Sequence, residues 1–314
     1  MKQRRFAFLL DPLTDLDLPW DTSLCLIREL NRLGHAVYFF TANRLASRGN
    51  EILACGGLIQ PTGEKRYSIS PAKNWNLAEF DAVFIRKDPP FNGSYLALTY
   101  LLEPLAKKTR VINHPRGIRD ANEKIFGLRF AKWSPPTLVT SSVEKILSFQ
   151  EELGSDLVIK PLYEKGGKGV FLLKQKISAA RALLQKATLR EKKIVIAQKF
   201  LPLARTRGDK RILLWKNEVL GVFERIPPPG DFRSNLSLGG KFVRCSLTAR
   251  EKSLTRDLAR ELIREGLFWV GLDVRNEHLI EVNVTSPAGL VELDQLYGGA
   301  TKILAERVLR LSVS

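Results

Sequence analysis

Near the C-terminus of the 314-residue chain, two apolar runs flank a tight turn and carry acidic and amide side chains inside them. The first is Gly271-Leu272-Asp273-Val274; the second is Leu279-Ile280-Glu281-Val282-Asn283-Val284-Thr285-Ser286-Pro287, with the turn at Asn276-Glu277. Side chains alternate across a strand, so Glu281 and Asn283, two positions apart, project from one face. Antiparallel pairing could bring Asp273 of the partner strand beside them. Carboxylates inside an apolar run are costly unless something charged meets them. Oxygen donors converging on one face suit a hard cation such as Mg2+, above all one also held by phosphates. A hairpin with ordinary solvent-facing polar residues gives the same pattern, so this segment alone leaves both readings open.

Composition narrows the classes. The chain is 44% hydrophobic and 26% charged, ordinary for a globular enzyme. No apolar run approaches the ~20 residues that span a bilayer. In the N-terminal MKQRRFAFLLDP, Asp11 ends the apolar run early, so a buried first strand is expected rather than a targeting segment. Cys25, Cys55 and Cys245 are odd in number and far apart. They offer neither a disulfide framework nor zinc spacing, and point to a reducing cytoplasm. The net charge of +17 is spread along the chain without a basic run or tail. No recognition signature for nucleic acid accompanies it, so a solvated basic surface is expected.

The first third alternates strand and helix: strands at Arg4–Leu10, His35–Thr41, Ala82–Lys87 and Arg110–Asn113, helices at Trp20–Leu33 and Ser94–Lys107. That rhythm predicts a parallel sheet flanked by helices, with ligands at the carboxyl ends of its strands. Asp11-Pro12 and Arg86-Lys87-Asp88-Pro89-Pro90-Phe91 lie at such ends. Strands at Asp156–Pro161, Gly169–Lys174 and Lys193–Phe200, with a helix near Ser178–Leu189, predict a small α+β lobe. A hairpin follows over Asp209–Lys216 and Val219–Ile226. Then comes the proline- and glycine-rich segment Pro227–Lys241, long enough to be functional or disordered. Thr248-Ala-Arg-Glu251 is a capping box for a helix ending before Gly266.

The chemistry-bearing residues point to phosphate. There is no P-loop motif, no G-x-S-x-G and no H-E-x-x-H, and His35, His114 and His278 are scattered. Lys160 ends a buried strand and is followed by Gly166-Gly167-Lys168-Gly169, whose amides can cover phosphate oxygens. A plain glycine turn fits that loop equally well. Lys124, read as part of an amphipathic helix, would ordinarily be solvated. Arg211 and Arg225 sit on successive strands, where a guanidinium can grip a carboxylate or phosphoryl group.

In order, Lys124, Lys160 with the glycine loop, Ala197-Gln198-Lys199-Phe200-Leu201-Pro202, Arg211 and Asp273…Glu281-x-Asn283 resemble the ATP-grasp superfamily. The segments Arg86–Phe91, Arg119–Lys124, Gly208–Arg211 and Glu281–Pro287 resemble bacterial glutathione synthetases along nearly the whole chain. The resemblance implies an N-terminal parallel-sheet, Rossmann-like α/β domain (1–122), then a two-lobed α+β ATP-grasp domain (123–202 and 203–314) with Pro227–Lys241 as a mobile lid. It implies ligation of γ-L-glutamyl-L-cysteine to glycine through an acyl phosphate. ATP would be held by Lys124, Lys160, Gly166, Gly167, Gly169, Gln198, Lys199, Phe200, Leu201 and Asp209. Two Mg2+, replaceable by Mn2+, would be held by Asp273, Glu281 and Asn283. Arg211 and Arg225 would act on the acyl phosphate, and Asp11, Ser23, Arg86, Asp88, Arg233, Asn283 and Ser286 would hold the peptide. A cytoplasmic homo-oligomer, with small-molecule partners and neither membrane nor nucleic acid, is expected.

The chain departs from the family pattern at Tyr163-Glu164-Lys165, at Ser234 and at Ala288–Glu292. Two alternatives stay open: an ATP-grasp ligase for another amino acid or peptide pair, and a non-catalytic protein on this scaffold that binds nucleic acid or another anion.

Overall fold

The computed structural model describes residues 2–64, 66–164, 166–175, 178–202 and 208–311, with Ser237 by its backbone alone. Lys165 of the glycine loop and the expected boundary at 203 lie outside the described residues. The first third holds β1 (Arg5–Leu10), α1 (Thr22–Arg32), β2 (Ala36–Thr41), β3 (Leu45–Arg48), β4 (Glu51–Gly63), β5 (Arg66–Ile69) and β6 (Lys73–Asn76). It continues with β7 (Ala82–Ile85), α2 (Gly93–Leu102), β8 (Arg110–Ile112) and α3 (Pro115–Asp120). The parallel sheet is present as β2-β1-β7-β8. Its β2 edge is extended by β4, which pairs antiparallel to β2, β3, β5 and β6. The expected parallel sheet is thus present, with an antiparallel extension that the alternation of strand and helix did not announce. Gly56 and Gly57 let β4 lie close to its neighbours, since a Cβ on Gly56 would come within 2.2 Å of the Phe39 carbonyl. Local signals set the helix ends: the Asp21 carboxylate caps α1 through the Leu24 amide at 2.8 Å, and Gly34 follows with φ +83°.

The middle of the chain forms β9 (Thr137–Thr140), α4 (Val143–Leu153), β10 (Leu157–Pro161), β11 (Phe171–Leu173), α5 (Ala180–Ala187) and β12 (Val195–Lys199). The strands make an antiparallel sheet in the order β11-β10-β12-β9. The last part forms β13 (Asp209–Trp215), β14 (Glu218–Ile226), β15 (Lys241–Arg244), α6 (Ala249–Arg264), β16 (Trp269–Arg275), β17 (His278–Asn283), α7 (Leu290–Tyr297) and α8 (Ala300–Leu309). Its sheet runs β15-β14-β13-β16-β17, and α6 opens on the expected capping box between Thr248 and Glu251.

Core packing divides the molecule differently from chain order. One cluster joins Leu9, Val83 and Ile85 of the first sheet to Ile212, Leu272 and Leu258 of the last part. A second joins Phe8, Leu24 and Phe84 to Leu213, Trp269 and Leu304. The cluster under the middle sheet draws only on residues 138–197. Asn113, 3% exposed, crosses the seam between the first and last sheets. Its amide nitrogen donates to the Trp269 and Val284 carbonyls, both at 2.7 Å. Its oxygen accepts from the Phe268 and Trp269 amides, both at 2.8 Å. Every hydrogen-bonding group of that side chain is used. Asn113→Ala leaves four backbone groups to find new partners at a buried seam, so a loss of at least about 3 kcal/mol in unfolding free energy is expected. Denaturant titration checks it.

Candidate active site

The site begins with strand alternation. On β13, Asp209 and Arg211 share a face; registered pairing sets Arg225 of β14 opposite Asp209 and Asp273 of β16 opposite Arg211. Glu281 of β17 lies opposite Asp273, and Asn283 opposite Gly271. The other face of these strands, through Ile212, Leu214, Leu272, Val274 and Val282, packs on Leu254, Leu258 and Leu262 of α6. A bulge at Asp273/Val274 in this pairing adds Ile280 to the cleft wall. The hairpin anticipated from the sequence is therefore present, with its polar face turned to a cleft.

Those charges form a buried ladder. Arg225 Nε donates to Asp209 Oδ1 at 2.7 Å, and its terminal nitrogen lies 3.0 Å from Asp273 Oδ2. Arg211 grips both oxygens of Asp273, at 2.6 and 3.0 Å. Asn283 adds an amide donation to Asp273 Oδ2 at 3.3 Å. Burial raises the Asp273 pKa, but Arg211 and Arg225 outweigh it and lower the value to about 2. The same two carboxylates, Asp209 and Asp273, raise Arg225 despite its burial. Glu281 has the opposite balance. Burial first, then the charge of Asp273, raises its pKa, while Lys124 and Lys160 relieve it in part.

The cleft, about 260 Å³ in volume, lies between this face and the middle sheet. Lys160 on β10 donates from Nζ to Gln198 Oε1 of β12 at 2.7 Å. Burial lowers its pKa to about 8, against the pull of Glu281. Lys124 is not on an amphipathic helix: it occupies a turn beyond α3, and its ammonium donates to the Pro161 and Glu164 carbonyls at 2.7 and 2.5 Å. Gly166 and Gly167 line the cleft. Gly169 stands at the base of their loop, where a Cβ would lie 3.2 Å from Pro161. Lys199, Phe200 and Leu201 line the cleft too, but β12 ends at Lys199, and the Lys199 and Phe200 amides donate to the Pro136 and Asp156 carbonyls.

The segment 227–241 lies over the cleft. Arg233 donates to the Gly167 carbonyl at 3.1 Å, and Phe232 meets Phe200 edge-on at 5.9 Å. Arg275 ties the segment down through the Phe232 carbonyl at 2.8 Å and the Ser234 hydroxyl at 3.3 Å. Asp88 and Ser286 complete the cleft wall among the anticipated residues. Asp11, Ser23 and Arg86 stand behind it. Asp11 accepts from Lys87 at 2.5 Å and from the Asp88 amide at 2.8 Å. Arg86 donates to Ser23 Oγ and the Pro287 carbonyl at 2.8 and 2.9 Å, with its guanidinium 4.0 Å from the Trp269 ring centre.

Glu123 and Arg275 are among the cleft residues to which the sequence reading gave no role. Glu123 Oε1 accepts from the Val284 amide, the Thr285 amide and the Thr285 hydroxyl at 3.1, 3.1 and 2.7 Å. Arg275 lies two positions from Asp273 on the same strand face, a spacing that would have flagged it.

Comparison with known proteins gives the family. Residues 5–119 match the N-terminal domain of prokaryotic glutathione synthetase, and residues 123–298 match its ATP-grasp domain. The chain belongs to the prokaryotic glutathione synthetase family. Glutathione synthetase of Prochlorococcus marinus subsp. pastoris is 38% identical over 306 residues, covering 97% of each chain. That of Parasynechococcus marenigrum is 39% identical over 293 residues, covering 93% of this chain and 94% of its own. In fold, the chain is similar to the D-cycloserine synthetase DcsG, with TM-score 0.67, 16% identity and 96% and 99% coverage of this chain and that one. It is also similar to the ATP-grasp ligase PsnB complexed with minimal precursor, with TM-score 0.66, 16% identity and 99% and 100% coverage. Among the described residues, no helix is long and apolar enough to cross a membrane.

The two facing carboxylates give opposite stability effects. Ionised Glu281 is held against its raised pKa, so its charge costs folding free energy above the ordinary carboxylate range, and Glu281→Gln is expected to raise the melting temperature of the ligand-free protein. Asp273→Asn strips the shared anion from two buried guanidiniums and is expected to cost about 3–5 kcal/mol. Thermal unfolding of both variants checks the contrast.

Proposed function

We propose that the chain is a glutathione synthetase, joining γ-L-glutamyl-L-cysteine to glycine while ATP is cleaved to ADP and phosphate. The observation that carries this is the charged sheet face, two lysines and a glycine loop converging under one covering segment, in a chain matched along both parts of the family. A carboxylate resists attack by an amine, so it is first activated. An oxygen of the cysteinyl carboxylate attacks the γ-phosphorus, the bond to the β–γ bridging oxygen breaks, and its electron pair leaves on ADP. The glycine nitrogen then attacks the acyl carbon and sheds a proton, while the carbon–oxygen bond to phosphate breaks with its pair leaving on phosphate.

In this reading Lys124 and Lys160 hold the phosphates beneath Gly166, Gly167 and Gly169. Gln198 to Leu201 face adenine, and Asp209 fixes Arg225 at the nucleotide. Arg211 and Arg225, held by Asp209 and Asp273, direct fixed positive charge at the acyl phosphate and the oxyanion that follows. Arg233, Asp88, Asn283 and Ser286 hold the peptide, with Asp11, Ser23 and Arg86 supporting that wall. Glu281, Asp273 and Asn283 offer hard oxygen donors, and the raised pKa of Glu281 is what a cation there would relieve, so these residues fit a divalent ion. Bound Mg2+, two ions in this reading and replaceable by Mn2+, would neutralise charge on the phosphates during transfer. The reading includes domains at 1–122, 123–202 and 203–314, a cytoplasmic setting and a homo-oligomer. Cover by 227–241 has a physical reason: water would destroy an acyl phosphate before the amine arrived.

The test supplies γ-glutamylcysteine, glycine and Mg-ATP. Tripeptide, identified by mass, and ADP in equal amounts are expected; turnover with a different acceptor pair alone would move the assignment to another ligation. Glu281→Gln is expected to lower kcat by on the order of a hundredfold or more. Lys160 adds a proton signature. Its pKa near 8 rises when phosphates approach, so ATP binding slightly above that pH takes up a proton. Calorimetry in buffers of different ionisation enthalpy reads this uptake, and Lys160→Met abolishes it.

A further inference from the structure

A second cavity, about 450 Å³ in volume, runs beside α6 and shares no residue with the ligation cleft. Lys252, Arg256 and Arg260 stand along it four positions apart on the helix, and Asn217, from the turn between β13 and β14, is a further donor. Its apolar part includes Val219 and Ile263, which are 42% and 37% exposed and so lie uncovered. Among the described residues no carboxylate lines it. The acids of α6 are held elsewhere: Glu251 by Lys210 at 2.7 Å, Asp257 by the Trp133 indole at 3.1 Å, and Glu265 by Arg129 at 2.7 Å. Glu261 is shared by Arg129 and Arg264 at 3.9 and 3.4 Å, and Glu218, beside Asn217, is paired with Arg307 at 2.5 Å. Among the described residues the Lys252 and Arg260 side chains have no hydrogen-bond or ion-pair partner, and Arg256 reaches only the Ser253 hydroxyl at 3.4 Å.

Like charges four apart on a helix repel one another, a cost that a bound anion reverses. A concave and partly apolar wall carrying one sign of charge also focuses its field on whatever enters. We propose that this cavity binds an organic polyanion: an apolar or planar body seated at Val219 and Ile263, with two or more phosphate, sulfonate or carboxylate groups along the basic stripe. From Lys252 to Arg260 the helix rises about 12 Å. One small inorganic anion cannot meet all three cations over that length, whereas several groups on one body can. Single-stranded nucleic acid is the poorer fit, because its sites supply aromatic side chains on which bases stack, and among the described residues no aromatic lines this cavity. The opposite side of α6 carries Leu254, Leu258 and Leu262 beneath the ligation sheet, so a ligand here touches none of the reactants. None of the cavity's residues has a part in the ligase reading, and the site stands independently of it.

Pyranine, a pyrene bearing three sulfonates, serves as the probe. Its fluorescence anisotropy is followed on the full chain with Mg-ADP in excess, which keeps the ligation cleft occupied. One pyranine per chain is expected, with binding that weakens as salt rises. The double substitution Arg256→Gln, Arg260→Gln and the single substitution Val219→Glu are each expected to raise its Kd at least about tenfold. Lys186→Gln with Lys192→Gln removes the same charge from exposed positions of the middle lobe and is expected to change Kd less than about twofold. Glutamine is a good helix former, and a melting temperature no lower than that of the unsubstituted protein reports an intact α6. Absence of pyranine binding, an unchanged Kd in the arginine pair, or equal weakening by the lysine pair would overturn the site, the last by reducing it to net charge. Stronger competition by oligo-dT or by polyglutamate than by naphthalenetrisulfonate would overturn the small-ligand assignment in favour of a macromolecular partner.

Discussion

Two aspartates and two arginines, interleaved as Asp209, Arg225, Asp273 and Arg211, form a buried line of alternating charge across three strands. Taking such groups from water is expensive, and the expense is offset only when each charge meets its opposite with good geometry. Sheet register supplies that geometry, because directly paired residues on neighbouring strands face the same way. A one-residue slip of β13 would turn both of its charges into the apolar layer over α6. The same register places Glu281 opposite an Asp273 whose oxygens already serve the arginines. Its carboxylate thus adds negative charge beside a satisfied ladder. Stability would favour an uncharged residue there, so the fold spends free energy on that charge, as active sites do.

The cores explain which part can move. The first and last sheets share two hydrophobic clusters and the Asn113 clamp, so separating them would expose both cores. The middle sheet keeps its own core and reaches its neighbours largely through polar or edge contacts. Examples are Lys124 to the Pro161 carbonyl, Arg233 to the Gly167 carbonyl and Asn276 to the Pro202 carbonyl at 2.8 Å. Such contacts exchange with water at modest net free energy. Opening by rotation of the middle sheet is therefore the low-cost movement, and Arg275 couples the covering segment to the immobile side.

Much of this was legible where a rule of spacing met a rule of cost. Polar residues two apart in an apolar strand, together with the glycine loop and the arginine strands, pointed to the face that the structure shows. The extension around β4 was not legible, because its run through Ala54-Cys55-Gly56-Gly57-Leu58 has no clean alternation and its pairing depends on close backbone approach. Lys124 was misplaced for a related reason: its partners are carbonyls of Pro161 and Glu164, some forty residues on, which local periodicity does not register. Glu123 escaped because its partners too are backbone amides far along the chain.

The departure after Pro287 bears on how much of the site side chains specify. The Pro287 carbonyl accepts from Arg86, and the Ala288 carbonyl accepts from Arg211 at 3.0 Å. The Gly289 and Leu290 amides donate to the Thr22 hydroxyl at 3.0 and 3.3 Å. Gly289 has φ +142°, a conformation that side-chain-bearing residues rarely adopt. Backbone groups thus tie α1, the Arg86 loop and the Arg211 strand to the start of α7, whatever side chain stands at 288. Glu292, 7% exposed, lies within the electrostatic reach of Arg211 and Arg225, and burial raises its pKa. Sequence change at 288 therefore alters the lining of the cleft while the frame that aims Arg211 at it is kept.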